Sequence, residues 1–146
     1  MKITTIKFKY LFLNVVSPVI VGGMIYTFYR DKSILLFDWY NYLDLTCYVL
    51  KWRLFFNPDD VIISNIFTQN LPDGLCVYAF SSCMMLIWGE KKTIYKNIYL
   101  IAPILLSILS ELGQLFNIIS GTFDVKDIIS YLLFTYLAYW VFKRSL

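Results

Sequence analysis

The stretch Ser107-Ile-Leu-Ser-Glu-Leu-Gly-Gln-Leu-Phe-Asn-Ile-Ile-Ser-Gly-Thr-Phe-Asp-Val-Lys-Asp127 decides how the chain is read. Its first half is apolar enough to cross a bilayer, yet it carries Glu111 and Gln114. A Gly-Thr turn follows, and Asp124 and Asp127 open the next apolar segment. Glu111 and Gln114 are three residues apart, so a helix puts them on one face, with Ser107 and Ser110 extending the stripe. Asp124 and Asp127 repeat the spacing. Ionisable groups at membrane depth are costly, and they ordinarily face a bundle interior or a wet cavity.

Composition sets the class. Of 146 residues, 59% are hydrophobic and 19% aromatic, and only 16% are charged. A soluble domain of this length cannot hide so much apolar surface, so the expected fold is an all-α integral membrane helical bundle in one domain. The net charge of +3 is dispersed, with no basic patch interleaved with aromatics, which argues against nucleic acid as a partner. Histidine is absent. That removes Ser-His-Asp and Cys-His nucleophiles and most transition-metal sites. Cys47, Cys76 and Cys83 show no metal-ligand pairing and are expected to be buried small hydrophobes. No cofactor is implied.

Four spans are predicted, at about 10–28, 71–89, 95–119 and 124–142. The first follows Lys2, Lys7 and Lys9 and has no Ala-x-Ala-like cleavage site, so it reads as a retained signal anchor. Pro18 and Gly22-Gly23 interrupt it. Residues 34–56 carry Asp38, Asn41, Asp44, Tyr48 and Lys51 at steps of three or four, one polar stripe on an aromatic-rich helix. Two readings of that helix stay open: an amphipathic helix in the interface, or a fifth span with its stripe turned inward. Asn57-Pro58-Asp59-Asp60 reads as a turn, and Val61 to Phe67 as an apolar piece too short to cross.

Basic residues arbitrate the count. With four spans, Lys2, Lys7, Lys9, Lys91, Lys92, Lys96, Lys143 and Arg144 share one side, against Arg30, Lys32, Lys51, Arg53 and Lys126: eight to five. Five spans give six against seven, the wrong sign for the positive-inside rule. Four spans with both termini cytoplasmic are therefore expected. Every acidic residue except Glu90 then lies on or toward the outer face.

Each polar constellation has two readings. Glu111 is a polar contact between helices, or a carboxylate that lines an outward cavity with Gln114. Asp124 and Asp127 form an Asp-x-x-Asp helix start, which capping and the helix dipole explain, and a cap at the outer mouth can also face Glu111. Asp59, Asp60 and Asp73 sit at turn-to-helix junctions and read as caps. No calcium-binding loop spacing is present, so no metal is assigned. No catalytic residue is assigned either.

Glu111-Leu-Gly-Gln114, the short turn, Gly121-Thr-Phe-Asp124-Val-Lys-Asp127 and the closing hydrophobic helix resemble the signature of the VanZ-like family of small multi-span membrane proteins. The resemblance covers 107–139, and Leu71-Pro72-Asp73 at a span start fits the layout more loosely. The arginine usual before the first aspartate is absent, with Thr122 and Phe123 in its place. Tyr131 stands where an asparagine is usual, and Leu132-Leu133-Phe134 where a glycine is usual. The resemblance implies a bacterial inner-membrane cell-envelope protein, with glycopeptide (teicoplanin-type) tolerance as a phenotype and no defined reaction. Its partners would be membrane lipids, a cell-wall precursor lipid or an amphiphilic drug, met by Glu111, Gln114, Asp124 and Asp127. The rival expectation is a small transporter or flippase subunit in which Glu111 is a proton or cation site.

Overall fold

The computed structural model describes residues 2–30, 35–56, 66–89, 91, 95–119 and 121–145. They form seven α-helices and no strand: α1 (Lys2–Leu11), α2 (Ser17–Tyr29), α3 (Leu35–Tyr42), α4 (Thr46–Phe56), α5 (Leu71–Trp88), α6 (Tyr95–Leu115) and α7 (Val125–Ser145). Four stretches are long and apolar enough to cross a membrane: Ile6–Tyr29, Thr68–Trp88, Tyr95–Leu115 and Val125–Ser145. The expected helical membrane bundle is the fold. The predicted turn at 57–60 and most of the apolar piece at 61–67 lie outside the described residues.

Two wide turns shape the first two spans. Phe12–Val16 is a π turn joining α1 to α2, and Ile66–Asn70 is a π turn leading into α5. Each is followed two residues later by a proline, Pro18 or Pro72. A proline ring clashes with the carbonyl four residues earlier, here Asn14 or Thr68, and widening that turn relieves the clash without breaking the helix. The first wide turn also carries a polar contact: Asn14 accepts a hydrogen bond from the Tyr78 hydroxyl at 2.6 Å. The second span accordingly starts earlier than the predicted Leu71.

α5 is the axis of the bundle. It packs against α2, α6 and α7, and its face toward α7 sets glycines beside the larger Tyr78 and Met85. Without a hydrophobic force between helices in lipid, close backbone approach supplies the attraction, and small side chains permit it. Gly74 shows the fit. A Cβ there would lie 2.4 Å from Phe134 Cδ2 and 2.4 Å from Ser130 Oγ. Further along, Gly89 meets Phe142 in the same way, so α5 and α7 run parallel. Tyr10, at the start of the first span, packs edge-on against Phe142, at the end of the last. The four spans thus alternate in direction.

Residues 35–56 differ from the single helix predicted for 34–56. The chain breaks at Asp44, whose φ is +55°. Leu45 N–H returns to the Tyr40 carbonyl (2.8 Å) and Asp44 N–H to the Asn41 carbonyl (3.2 Å). This crossed pair is a Schellman stop, with an aspartate in the left-handed position. The resulting α3 and α4, of 8 and 11 residues, are each too short to span. α4 is tied to the end of α2 instead. Arg53 Nη1 donates to the carbonyls of Thr27 (3.1 Å) and Arg30 (2.8 Å), acceptors that the end of α2 leaves unpaired. The Tyr40 and Thr27 hydroxyls add a contact at 2.8 Å.

The cysteines also depart from expectation. Cys47 and Cys76 are exposed and Cys83 is partly so, all three free. They lie on outward faces, where an apolar surrounding accepts a small hydrophobe as readily as a core does.

Candidate functional site

The third span ends four residues before the predicted Ile119, and that early stop builds the site. Asn117, with φ +55°, takes the left-handed position of a second Schellman stop. Ile118 N–H bonds the Gly113 carbonyl (2.8 Å) and Asn117 N–H the Gln114 carbonyl (3.0 Å). The chain then folds back so closely that a Cβ on Gly113 would lie 2.7 Å from Ile119 Cδ1. Gly121 follows at φ +144°, against the Gln114 amide, where a Cβ would come within 2.7 Å of that side chain. Only glycine suits both the dihedral and the space.

This return delivers Asp124 to the start of α7. Its Oδ1 accepts the Lys126 N–H at 2.9 Å and its carbonyl accepts the Asp127 N–H at 3.1 Å, so Asp124 is an N-cap. Its own N–H points at Glu111 Oε2, a long contact of 3.5 Å. The cap and the cavity wall are one residue.

Glu111 is 2% exposed, the most deeply buried ionisable side chain among the described residues. Its Oε1 accepts the Tyr131 hydroxyl at 3.0 Å. Tyr131, read from sequence only as an aromatic in an apolar run, is this glutamate's hydroxyl partner. Asp127 accepts a hydrogen bond from the buried Asn70 amide, and Ser130 Oγ donates to the Asn70 carbonyl at 3.0 Å. α7 is thereby pinned to the start of the second span.

The expected role of Asp73 is corrected. It does not cap α5; it accepts the Tyr26 hydroxyl at 2.5 Å and faces Arg30 Nη1 at 3.8 Å. The Arg30 guanidinium lies over the Tyr26 ring, 4.5 Å from its centroid. No basic residue precedes Asp124 in the turn from Gly121, yet a guanidinium reaches the same cavity from the end of the first span. Asp59 and Asp60, also read as caps, lie outside the described residues.

These groups line one cavity of about 410 Å³. Glu111, Gln114, Asp124 and Asp127 all border it, joined by Asp73, Arg30, Tyr26 and Tyr131. All four spans contribute. Sequence reasoning missed the last four residues because each had a local explanation: a span end, a helix start, an aromatic in an apolar run. The available signal was that Asp73 and Asp127 both follow the start of a span by a few residues.

The arrangement suits recognition through hydrogen bonds and charge. Four carboxylates face one guanidinium, and the hydrogen-bond donors named for those carboxylates are all neutral. The acids are spread around the walls. Among the described residues no three acidic or thiol groups converge closely enough to hold a metal ion. No family model, curated protein or solved structure matches the chain.

Proposed function

We propose that the chain is a VanZ-like protein of the bacterial inner membrane, both termini cytoplasmic. Its acidic cavity, at the outer face, recognises the polar part of a membrane lipid, a cell-wall precursor lipid or an amphiphilic drug. One observation carries this reading: all four spans direct polar or ionisable side chains into a single cavity of about 410 Å³ at one end of the bundle. Holding one buried and three half-buried carboxylates with neutral donors costs more than apolar packing would, so the arrangement is better explained by a ligand than by stability. The opposite end bears Lys91, Lys143 and Arg144, which supports the assigned orientation. Tolerance of teicoplanin-type glycopeptides is the phenotype that the family resemblance supports.

The test is deletion in the native host, followed by a glycopeptide and envelope-stress screen with complementation. Wild type restores the phenotype, while Glu111→Gln and Asp127→Asn do not. Restoration by both variants sinks the reading.

A specific observation favours a second reading, a small transporter or flippase subunit with Glu111 as a proton or cation site. Ser81 is fully buried on α5, its hydroxyl has no hydrogen-bond partner among the described residues, and it lies deeper in the bundle than Glu111. Gradient-dependent flux in proteoliposomes, abolished by Glu111→Gln, distinguishes transport from simple binding.

A further inference from the structure

The cavity is the upper end of a longer feature. On α5, Asp73, Cys76, Phe80, Cys83 and Ile87 follow at steps of three and four, so they share one face of the helix. α5 is otherwise the most enclosed of the four spans, yet along this face Cys76, Phe80 and Ile87 are exposed and Cys83 is partly so. Contacts on either flank explain the opening. Gly22 of α2 lies against Pro72 and Leu75, on one side of the face. Trp88 stacks on Tyr99 of α6, with ring centroids 4.3 Å apart, on the other. α2 and α6 each pack on α5 and make at most marginal contact with one another among the described residues.

A groove therefore runs down the bundle from Asp73, floored by α5 and walled by α2 and α6. From Asp73 to Ile87 it extends about 21 Å at 1.5 Å per residue, more than the roughly 15 Å depth of one leaflet. It is ionic at the top and apolar below.

The ionic end has two signs of charge, on different walls. Among the described residues, Arg30 at the end of α2 has a buried Nη1 with no hydrogen-bond partner, and it faces Asp73 at 3.8 Å. Glu111, Asp124 and Asp127 stand across from it, on α6 and at the start of α7.

We propose that this groove binds a zwitterionic aminophospholipid. The phosphate pairs with Arg30, the ammonium stands among the carboxylates of Glu111, Asp124 and Asp127 and donates to those within its reach, and one acyl chain lies along Cys76, Phe80 and Ile87. The proposal rests on the reading of the cavity as a recognition site and narrows its ligand. An anionic glycerol headgroup would bring its phosphate to Arg30 and leave the facing carboxylates uncompensated. A choline headgroup has the charge but no N–H to donate.

The test uses the full chain in nanodiscs holding equal parts phosphatidylethanolamine, phosphatidylglycerol and phosphatidylcholine. Native mass spectrometry reads which lipid stays bound, and an acyl-chain photoprobe on phosphatidylethanolamine reads where the chain lies. Phosphatidylethanolamine should be retained about tenfold over phosphatidylglycerol, and Arg30→Gln or Asp127→Asn should each erase about that factor, as expected for one charge-assisted hydrogen bond. Crosslinks should fall within 76–87 and drop when Cys76→Phe fills the groove below an intact cavity. Lys91→Gln, at the far end of the bundle, should change nothing. Variants are compared only where they elute as wild type does, and Glu111→Gln stands in if one of the others does not. Preferential retention of phosphatidylglycerol, still dependent on Arg30, overturns the aminophospholipid assignment and leaves the recognition site standing. Equal retention of all three lipids, unmoved by any variant, overturns both.

Discussion

Both ends of the bundle are rich in charge and in aromatic rings, and the two ends use them in opposite ways. At the end holding the chain terminus, Lys91 lies over Trp88 (4.5 Å) and Arg144 over Trp140 (3.9 Å). These are long, exposed side chains whose charged heads lie over the rings while staying within reach of water. At the other end the charges sit on short carboxylates, turned inward and held by Tyr26, Asn70 and Tyr131. Side-chain length decides much of this. A lysine near a membrane surface can reach water from a lipid-facing helix, whereas the shorter Glu111, a full turn inside the end of α6, cannot, so the bundle must provide it with a cavity. Charge near a span end is therefore no indicator of a site until its direction is known.

The largest effect is expected where α5 meets α7, just below the inward-turned carboxylates. Gly74→Val should destabilise the protein by about 3 kcal/mol, the upper part of the usual cost of overpacking, because its side chain would enter Phe134 and Ser130. Gly23→Ala, with no atom within 4 Å of the new Cβ, should leave thermal unfolding in detergent nearly unchanged. Equal melting shifts for the two would mean that α5 and α7 do not cross at Gly74.

Next comes Glu111→Ala, which leaves the buried Tyr131 hydroxyl unpaired and should cost about 2 kcal/mol. Glu111→Gln keeps an acceptor and should recover most of that stability without recovering recognition. A Gln variant that melts like the Ala variant would show that the carboxylate is held by charge rather than by the hydroxyl.

Asp124→Ala removes an N-cap and should cost about 1 kcal/mol. Hydrogen exchange should speed up at Lys126 and its neighbours in the first turn of α7, and Asp124→Asn should restore protection. The smallest effect belongs to the opposite end. Arg144→Gln gives up one exposed cation–π contact, about 0.5 kcal/mol. If its melting shift matched that of Asp124→Ala, the contrast between the two ends would lose its physical basis.

Much of the fold was legible because hydropathy and length are sufficient to locate spans, and the described helices follow the four predicted segments. The errors cluster at two residues. Asp44 and Asn117 both lie in segments that read as continuous helix, and both adopt φ +55° and stop it. A short polar residue at a three-or-four step looks the same whether it belongs to a stripe or reverses the chain. What distinguishes the two is where the following apolar residue packs, as Ile119 does on Gly113. Asp73 was misread for a related reason: Pro-Asp-Gly at a helix start resembles a cap when Tyr26, distant in sequence, is out of view.

The amino-acid sequence by itself determined the helical membrane class, four segments apolar enough to cross and the polar register of Glu111, Gln114, Asp124 and Asp127. Those follow from transfer free energies and from helical spacing, which are local properties. Tertiary structure alone decided that these four meet Asp73, Arg30, Tyr26 and Tyr131 around one cavity. Bringing the end of one helix to the start of another depends on reversals and on close packing along α5, and both arise between residues far apart in the chain.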